Sequence, residues 1–258
     1  MRAGFYPIYR REMRSYLTSP SVYVAVAAYL FLSGLFFYGI LLNFSELSAN
    51  AEYRRQMGFE QVNFTRHVVS QLFWSSNFLL LFVVPVFTMR LIADERRTGT
   101  FEMLRSLPFT DWNIVIGKYL AACTLVVAML IVNSYHILIL ARFGDPEMSV
   151  VGVAFLGGLI VPAAYVAVGL FASSLTENQI VAAIVAFVIL LLLFLAGDVT
   201  APGATGWGRL LEMFSMRIRS EQFTMGLLRL EDVAYFGVVV AVFLFLTCRT
   251  LELTRWRV

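Results

Sequence analysis

The sequence predicts an all-α membrane protein that crosses the bilayer several times. The chain of 258 residues is 59% hydrophobic and only 14% charged, with a mean hydropathy of +0.76, whereas soluble domains are roughly 45–50% apolar and about 25% charged. Its apolar residues gather into six charge-free runs of the kind that transmembrane helices need. No strand-like alternation of about ten residues recurs, which argues against a barrel. We therefore predict one transmembrane domain, residues 1–258.

The first predicted element is an amphipathic helix within residues 1–20. Aromatic and apolar side chains recur there with helical spacing on one face, and arginines occupy the other. Such a helix lies in the membrane interface, with its cations toward anionic lipid headgroups. A basic flank of the first span with no further role is the other interpretation. The apolar face contains Phe5, Tyr6, Tyr9, Met13, Tyr16 and Leu17, and the basic face Arg10, Arg11 and Arg14.

Six spans follow. Pro20 suits the first turn of the first span, and Thr110 or Asp111 can cap the third. An even number of spans places both termini on one side of the membrane. The segments on that side contain twelve basic residues against eight on the other, which favours cytoplasmic termini. The predicted spans are 21–42, 68–89, 114–141, 150–173, 178–197 and 233–248.

The segment between the second and third spans, residues 94–108, is predicted to contain a short helix with an apolar side. Gly99 interrupts the chain, Thr100 can cap the helix and Pro108 ends it. Apolar side chains flanked by charges of both signs suit a groove on a soluble partner, although a solvated loop has the same composition. The candidate docking residues are Glu95, Arg96, Arg97, Thr98, Gly99, Thr100, Phe101, Glu102, Met103, Leu104, Arg105, Leu107 and Pro108.

Residues 198–232, before the last span, are predicted to form an external helical segment. Structureless loops of this length are uncommon, and apolar residues recur after residue 210 at steps of mostly three to five residues. Two such segments, one per subunit, would close the outer mouth of a pathway. Packing against the spans alone is the alternative. The candidate gate residues are Met213, Phe214, Met216 and Phe223.

Two polar residues stand out inside the third span. Asn133 and His136 are three residues apart and hence share a helix face. Polar groups in lipid are costly and often functional, so they mark either a transport path or hydrogen bonds between helices. The two cysteines, Cys123 and Cys248, lie inside apolar runs without metal-binding spacing, and we expect no metal site.

The sequence contains no phosphate-binding loop. That motif needs a glycine six residues before the lysine of a Gly-Lys pair, but the only lysine, Lys118, is preceded at that position by Trp112. Any energy from ATP must therefore come from another chain, and we expect no cofactor here. The basic residues lie at the ends of spans, which indicates membrane orientation and no nucleic-acid partner.

Residues 88–108, followed by 111–118, resemble the signature of ABC-2 type permeases, the membrane subunits of ABC exporters. The similar residues include Glu95-Arg96-Arg97, Gly99-Thr100, Pro108 and Gly117-Lys118. Residues 15–20 and 32–37 resemble the gliding-motility-type subfamily. Residues 173–179 resemble the cytoplasmic turn between spans four and five of ABC-2 type permeases, and residues 214–233 resemble the segment that enters the last span.

The resemblance implies a six-span half-transporter of the bacterial inner membrane that is not itself an enzyme. Two copies, or this chain and a paralogous permease, pair with two ATP-binding subunits, which bind ATP and Mg, and an accessory envelope protein is a further expected partner. The interfacial helix and the short helix over 98–107 contact the ATPase in this family. A scaffold that recruits an ATPase for an envelope or motility assembly, without moving a substrate, is the alternative. A membrane enzyme is disfavoured, because the runs contain no Asp or Glu and one His.

Overall fold

The computed structural model describes residues 4–49, 68–100, 110–143, 146–197, 206 and 212–255. Over this part the fold is all-α, as predicted. The helices are α1 (Tyr6–Thr18), α2 (Pro20–Ala49), α3 (Ser70–Thr88), α4 (Arg90–Arg97), α5 (Asp111–Asn133), α6 (Tyr135–Phe143), α7 (Met148–Leu175), α8 (Gln179–Leu195), α9 (Met216–Thr224) and α10 (Leu230–Arg255).

Among the described residues, five helical stretches are long and apolar enough to cross a membrane. They are Pro20–Ala49, Ser70–Arg97, Asp111–Arg142, Met148–Leu175 and Leu230–Leu253. The predicted fifth span, 178–197, is the apolar helix α8, which has 17 residues. At about 1.5 Å per residue α8 is about 25 Å long, less than the about 30 Å of a typical hydrocarbon core. Length and composition therefore support five spans.

Several helices continue beyond the spans that the sequence predicted. Helix α2 ends at Ala49 rather than near residue 42, and α10 reaches Arg255 rather than residue 248. The predicted spans stopped close to the first charge, whereas a charged residue ends only the lipid-embedded part of a helix. The start of α5 is as expected, because the Thr110 side chain caps it and accepts a hydrogen bond from the Asn113 amide.

The described helices form a bundle with two ends, which we call the α4 end and the α9 end. The α4 end contains α1, α4 and the N-terminal ends of α2, α5 and α8. There the Arg90 guanidinium donates to Ser19 Oγ at 2.6 Å. At the α9 end, α9 lies against the start of α3, where Ser70 Oγ donates to the Thr224 carbonyl at 2.7 Å.

Helix α10 runs from the α9 end to the α4 end. The Tyr235 hydroxyl, near its start, donates to the Phe214 carbonyl at 2.6 Å. Further along, the Phe243 ring lies 5.5 Å from that of Phe171, near the last turn of α7. Helix α1 and the end of α10 therefore both lie at the α4 end of the bundle.

Helix α7 is the centre of the bundle and packs against α3, α5, α8, α9 and α10. Its close contact with α3 depends on Gly169, because a Cβ there would come within 2.2 Å of Thr88 Oγ1. The other spans are buried very unequally. The most apolar window of α3–α4 is 72% buried, against 22% for α2 and 17% for α10, so α2 and α10 present most of their surface to lipid or to another subunit.

Candidate functional site

Helix α1 packs against the start of α5 at the α4 end. Its buried residues are Ile8, Glu12 and Tyr16, which the four-residue spacing places on one face. The two helices come close because α5 has Gly117 here, where a Cβ would lie only 3.0 Å from Ile8 and from the Phe5 carbonyl oxygen.

The buried face of α1 is rotated from the one that its apolar pattern predicted. Ile8 and Glu12 lie at its centre, whereas Phe5, Tyr6 and Leu17 are exposed. Tyr9 and Met13 are partly buried against the core, and Arg10, Arg11 and Arg14 face outward, as expected. The pattern gave the wrong centre because a carboxylate occupies it, and hydrophobicity alone does not anticipate a buried ion pair.

Four charged side chains meet beside this contact, and we call them the buried charge cluster: Arg11, Glu12, Glu95 and Lys118. The Lys118 ammonium lies 2.8 Å from Glu12 Oε1 and 2.9 Å from Glu95 Oε2. The Arg11 guanidinium lies 2.9 Å from Glu95 Oε1. The cluster thus joins α1, α4 and α5, with two positive and two negative groups.

Burial makes the pairing of Lys118, Glu12 and Glu95 obligatory, whereas the Arg11 side chain is about half exposed. Lys118 is fully buried, and Glu12 and Glu95 are each only 8% exposed. A buried charge without a partner costs several kcal/mol, so the three side chains hold one another in place. Burial also raises the pKa of the neighbouring Tyr16 hydroxyl, and the Glu12 carboxylate raises it further.

Helix α4 is also fixed by α7 and α8. Ser173 Oγ, at the end of α7, donates to the Met89 carbonyl at 2.8 Å and accepts from the amides of Ile92 and Ala93. It thereby satisfies backbone groups at the break between α3 and α4. Gln179 Nε2, at the start of α8, donates to Asp94 Oδ1 at 2.6 Å. With the Arg90–Ser19 contact and the buried charge cluster, α4 is bonded to α1, α5, α7, α8 and the residues that begin α2.

Helix α4 leads directly into the predicted docking segment. Gly99 has a φ of +70°, which glycine adopts readily, and it ends the helix. Arg97, Thr98 and Thr100 are exposed here and Arg96 is half-buried. Glu95 was expected among the exposed charges, but it is buried against Lys118 and Arg11. The predicted docking residues Phe101, Glu102, Met103, Leu104, Arg105, Leu107 and Pro108 lie outside the described residues.

The polar pair of the third span forms hydrogen bonds between helices. Ser33 Oγ donates to Asn133 Oδ1 at 2.7 Å, and Asn133 Nδ2 donates to Ser76 Oγ at 3.0 Å. Asn133 therefore bridges α2, α3 and α5. His136 Nδ1 lies 3.0 Å from the Asn133 carbonyl oxygen, and its ring is 4.5 Å from Phe37. These contacts favour the packing interpretation over a transport path.

The four candidate gate residues divide into two classes. Met216 and Phe223 of α9 are fully buried, whereas Met213 and Phe214 are exposed. Phe223 packs against Gly157 of α7, where a Cβ would lie within 2.3 Å of it. Arg219 is ion-paired with Asp232 at 2.9 Å and stacks over the Tyr235 ring. Helix α9 is thus firmly packed on the spans, and of the four candidate gate residues Met213 and Phe214 are the exposed ones.

Sequence reasoning did not identify Lys118, Glu12 and Ser173 as site residues. Two signals were available: Lys118 is the only lysine, and Glu12 is the only acidic residue in α1. Neither signal identifies the partner, because Glu12 and Lys118 lie 106 positions apart in the sequence. Among the described residues, no group of three or more His, Cys, Asp or Glu side chains could hold a metal ion.

The chain was compared with models of known protein families. The family described as "ABC-2 family transporter protein" matches residues 6–247, which is nearly the whole chain. No curated protein matches the chain significantly.

Proposed function

The chain belongs to the ABC-2 transporter family, and from this membership we propose that it is the permease subunit of an ATP-driven exporter, with six transmembrane helices. Such subunits are multi-pass membrane proteins that carry neither the ATPase nor a cofactor, and they typically pair with ATP-binding subunits. The proposed sixth span is α8. Its Gln179 bonds to Asp94 at the α4 end, and its Phe194 carbonyl accepts from Ser215 at the α9 end, so its 17 residues connect both ends of the bundle.

The α4 end faces the cytoplasm in this proposal, with both termini inside a bacterial inner membrane. Basic residues concentrate at this end, as the positive-inside rule requires. The described ones are Arg10, Arg11, Arg14, Arg90, Arg96, Arg97, Lys118, Arg249 and Arg255. The described ones toward the α9 end are Arg142, Arg217, Arg219 and Arg229.

Coupling to the ATPase is proposed to pass through α4. The observation that carries this proposal is that α4 is bonded to α1, to α5, to α7, to α8 and to the start of α2, immediately before the segment expected to dock. A force on residues 98–107 would therefore act on most of the bundle at once. The buried charge cluster ties α1 to the same movement, so the interfacial helix and the docking segment respond together.

The working unit is proposed to be a dimer of six-span subunits, either two copies or this chain and a paralogue. Gly34 and Gly39 of α2 and the aliphatic α8 are the proposed contact. Exposed aliphatic residues recur along α8 at four-residue steps, at Ile180, Ile184, Val188 and Leu192. The finer assignments, to a gliding-motility-type exporter with an accessory envelope protein, rest on the resemblance of residues 15–20 and 32–37.

Substitution in residues 98–107 tests the coupling route. We expect Phe101→Ala or Leu104→Ala to weaken ATPase association by roughly 1 kcal/mol or more, about fivefold, because apolar anchors dominate interfaces. Arg105→Ala should have a smaller effect, since rim charges contribute less. The measurement is co-purification of the ATP-binding subunit together with ATP-dependent transport in liposomes.

The Phe101→Ala, Leu104→Ala double variant decides the outcome. Full co-purification and full coupling in that variant would contradict docking through this segment. If the ATPase binds and hydrolyses ATP but no candidate substrate stimulates hydrolysis, the chain is a scaffold rather than a permease.

A further inference from the structure

The candidate span Asp111–Arg142 is interrupted at Ser134, between Asn133 at the end of α5 and Tyr135 at the start of α6. Breaks inside a helix have few causes: a proline, a glycine, or a side chain or water molecule that enters the backbone hydrogen-bond ladder. Residues 129–138 contain neither proline nor glycine. A polar group at the ladder is therefore the cause to look for.

The side chains at the break account for part of it. Ser134 Oγ donates to the Leu130 carbonyl at 2.8 Å, and the Ser134 amide donates to the same carbonyl at 3.0 Å. A serine that bonds back in this way often bends its helix. After the break, the Ile137 amide donates to the Ser134 carbonyl at 3.0 Å, only three residues back. The regular α-helical ladder is thus altered around Ser134.

A small cavity adjoins this break, among α3, α5, α6 and α7. Its volume is about 10 Å³, close to the roughly 10–15 Å³ that a single water molecule needs, so no larger ligand fits. Cavities that stay empty are apolar, whereas this one has polar groups in its wall. Its lining consists of Leu72, Phe73, Ser76, Leu130, Asn133, Ser134, Ile137 and Phe155.

The polar groups of the cavity wall can bond to more than their protein partners. The Asn133 side-chain amide has two hydrogens, and within the described part of the chain it donates one bond, to Ser76 Oγ at 3.0 Å. Ser134 Oγ donates to Leu130, and a hydroxyl oxygen can also accept. Asn133 and Ser76 are only 6% and 2% exposed, so their remaining bonds must be made inside the bundle.

We propose that this cavity binds one water molecule, which accepts a hydrogen bond from the Asn133 side-chain amide and bonds to Ser76 Oγ and Ser134 Oγ. Three bonds are the usual number for a buried water. The water joins α3 to the break, since Ser76 belongs to α3, and it is part of what bends the span. The inference depends on the fold of this chain in a membrane and not on export.

Hydroxyl-radical footprinting of the full chain in lipid nanodiscs tests the site. A synchrotron X-ray pulse splits water, the short-lived radicals oxidise side chains that contact a water molecule, and mass spectrometry identifies the oxidised residues. Phe73 lines the cavity although it is only 6% exposed. Phe223, fully buried against Gly157, is the reference ring. We expect several-fold more oxidation of Phe73, and equal oxidation of the two rings overturns the proposal.

A methyl group placed in the cavity should displace the water. Ser76→Thr keeps the hydroxyl that Asn133 bonds to and adds a methyl group at the cavity wall, so it should reduce the oxidation of Phe73 several-fold. Ser75→Thr makes the same change at the next residue, which does not line this cavity, and should leave the oxidation unchanged. Thermal unfolding shows that each variant is folded. Unchanged oxidation in a folded Ser76→Thr variant overturns the proposal.

Cryo-electron microscopy of the wild-type complex is an independent measurement that needs no variant. At a resolution that shows ordered waters, we expect density at about 2.7–3.2 Å from Asn133 Nδ2, Ser76 Oγ and Ser134 Oγ. An empty cavity overturns the proposal, and so does elongated density of an acyl chain. Oxidation of Phe31, which is 67% exposed on α2, to the extent of Phe73 would mean that radicals arrive through the lipid, and this also overturns it. None of these measurements uses ATP hydrolysis, so failure of the proposed export leaves them unaffected.

Discussion

The Lys118 ammonium is fully buried between two carboxylates, from Glu12 and Glu95. The buried cation compensates the charge of each carboxylate, and the two carboxylates in turn compensate the charge of the buried ammonium. An ion pair of this kind adds little stability over a well-packed apolar core, but removal of one partner is strongly destabilising because a bare charge remains. The ion pairs that join α1 and α4 to α5 therefore both depend on one side chain, Lys118.

Lys118→Met is expected to destabilise the protein by about 3–5 kcal/mol, because two buried carboxylates would then face each other. The measurement is thermal unfolding of the purified protein in lipid nanodiscs. Arg249→Met is the control, since its ion pair with Glu252 is exposed and such pairs contribute about 0–1 kcal/mol. If both variants unfold at the same temperature, the cluster is not obligatory.

A second variant separates charge from packing at the same position. Lys118→Met combined with Glu12→Gln and Glu95→Gln removes both carboxylate charges while it keeps the side-chain sizes. We expect this triple variant to recover much of the lost stability. Recovery with continued loss of ATPase coupling would show that the ion pairs transmit motion as well as stabilise.

For single residues, the sequence predicts the local role of a side chain better than it predicts which distant side chain it will contact. The capping role of Thr110 follows from local chemistry, and the prediction is confirmed. The pairing of Glu12 with Lys118 joins positions 106 apart, and only the tertiary fold determines it. Ser173 likewise looks like an ordinary helix-end serine until α7 brings it to the break before α4.

Among the helices, the packing of α9 against α7 can be tested by substitution of glycines in α7. Gly157→Ala should destabilise the protein, because the new Cβ would lie 2.3 Å from Phe223 Cβ and must push α9 away. Overpacking of this kind costs about 1–3 kcal/mol. Gly152→Ala on the same helix has open space and should stabilise by about 0.5–1 kcal/mol. Thermal unfolding distinguishes the two, and equal effects would contradict tight packing.

The proposed gate role of this segment is tested at Met213. A disulfide between two copies at Met213→Cys is expected to block export and leave ATP binding intact, because it would fix the exposed ends of the segments together. Met216 is unsuitable, since it is fully buried. Reduction of the disulfide should restore export. Unchanged export with the crosslink complete would leave this segment only a packing role.

The positions of the helices in the sequence were largely predictable. Which face of each helix is buried was less predictable. Apolar runs fix where α2, α3, α5, α7 and α10 lie, because lipid requires every backbone group to be bonded within the helix. The faces of α1 and α9 depend on neighbours. Glu12 in α1 is buried by Lys118, and Phe223 in α9 by Gly157, neither of which a periodicity in one helix reveals.

For the whole molecule, the two ends of the bundle make the topology testable. Single cysteines at Gly4 and Leu253, both exposed, should react with a membrane-impermeant maleimide only from the cytoplasmic side. A cysteine at Met213 should react only from the opposite side. Native Cys123 and Cys248 are replaced by serine for this measurement. Labelling of Gly4 and Leu253 from opposite sides would refute the proposal that α8 crosses the membrane.

The break between α3 and α4 has a mechanical consequence. Ser173 is hydrogen-bonded to the backbone where α4 begins, so it fixes the point about which α4 would tilt. Glu95 lies about 7–8 Å along the helix axis from Arg90, the first residue of α4. A tilt of about 15° about that point moves Glu95 by about 2 Å, which is enough to part it from Lys118. We therefore expect a small displacement of α4 to leave the ion pair between Glu95 and Lys118 intact and a larger one to break it. The permease would then respond to its ATPase only above a threshold displacement of α4, and not in proportion to the displacement.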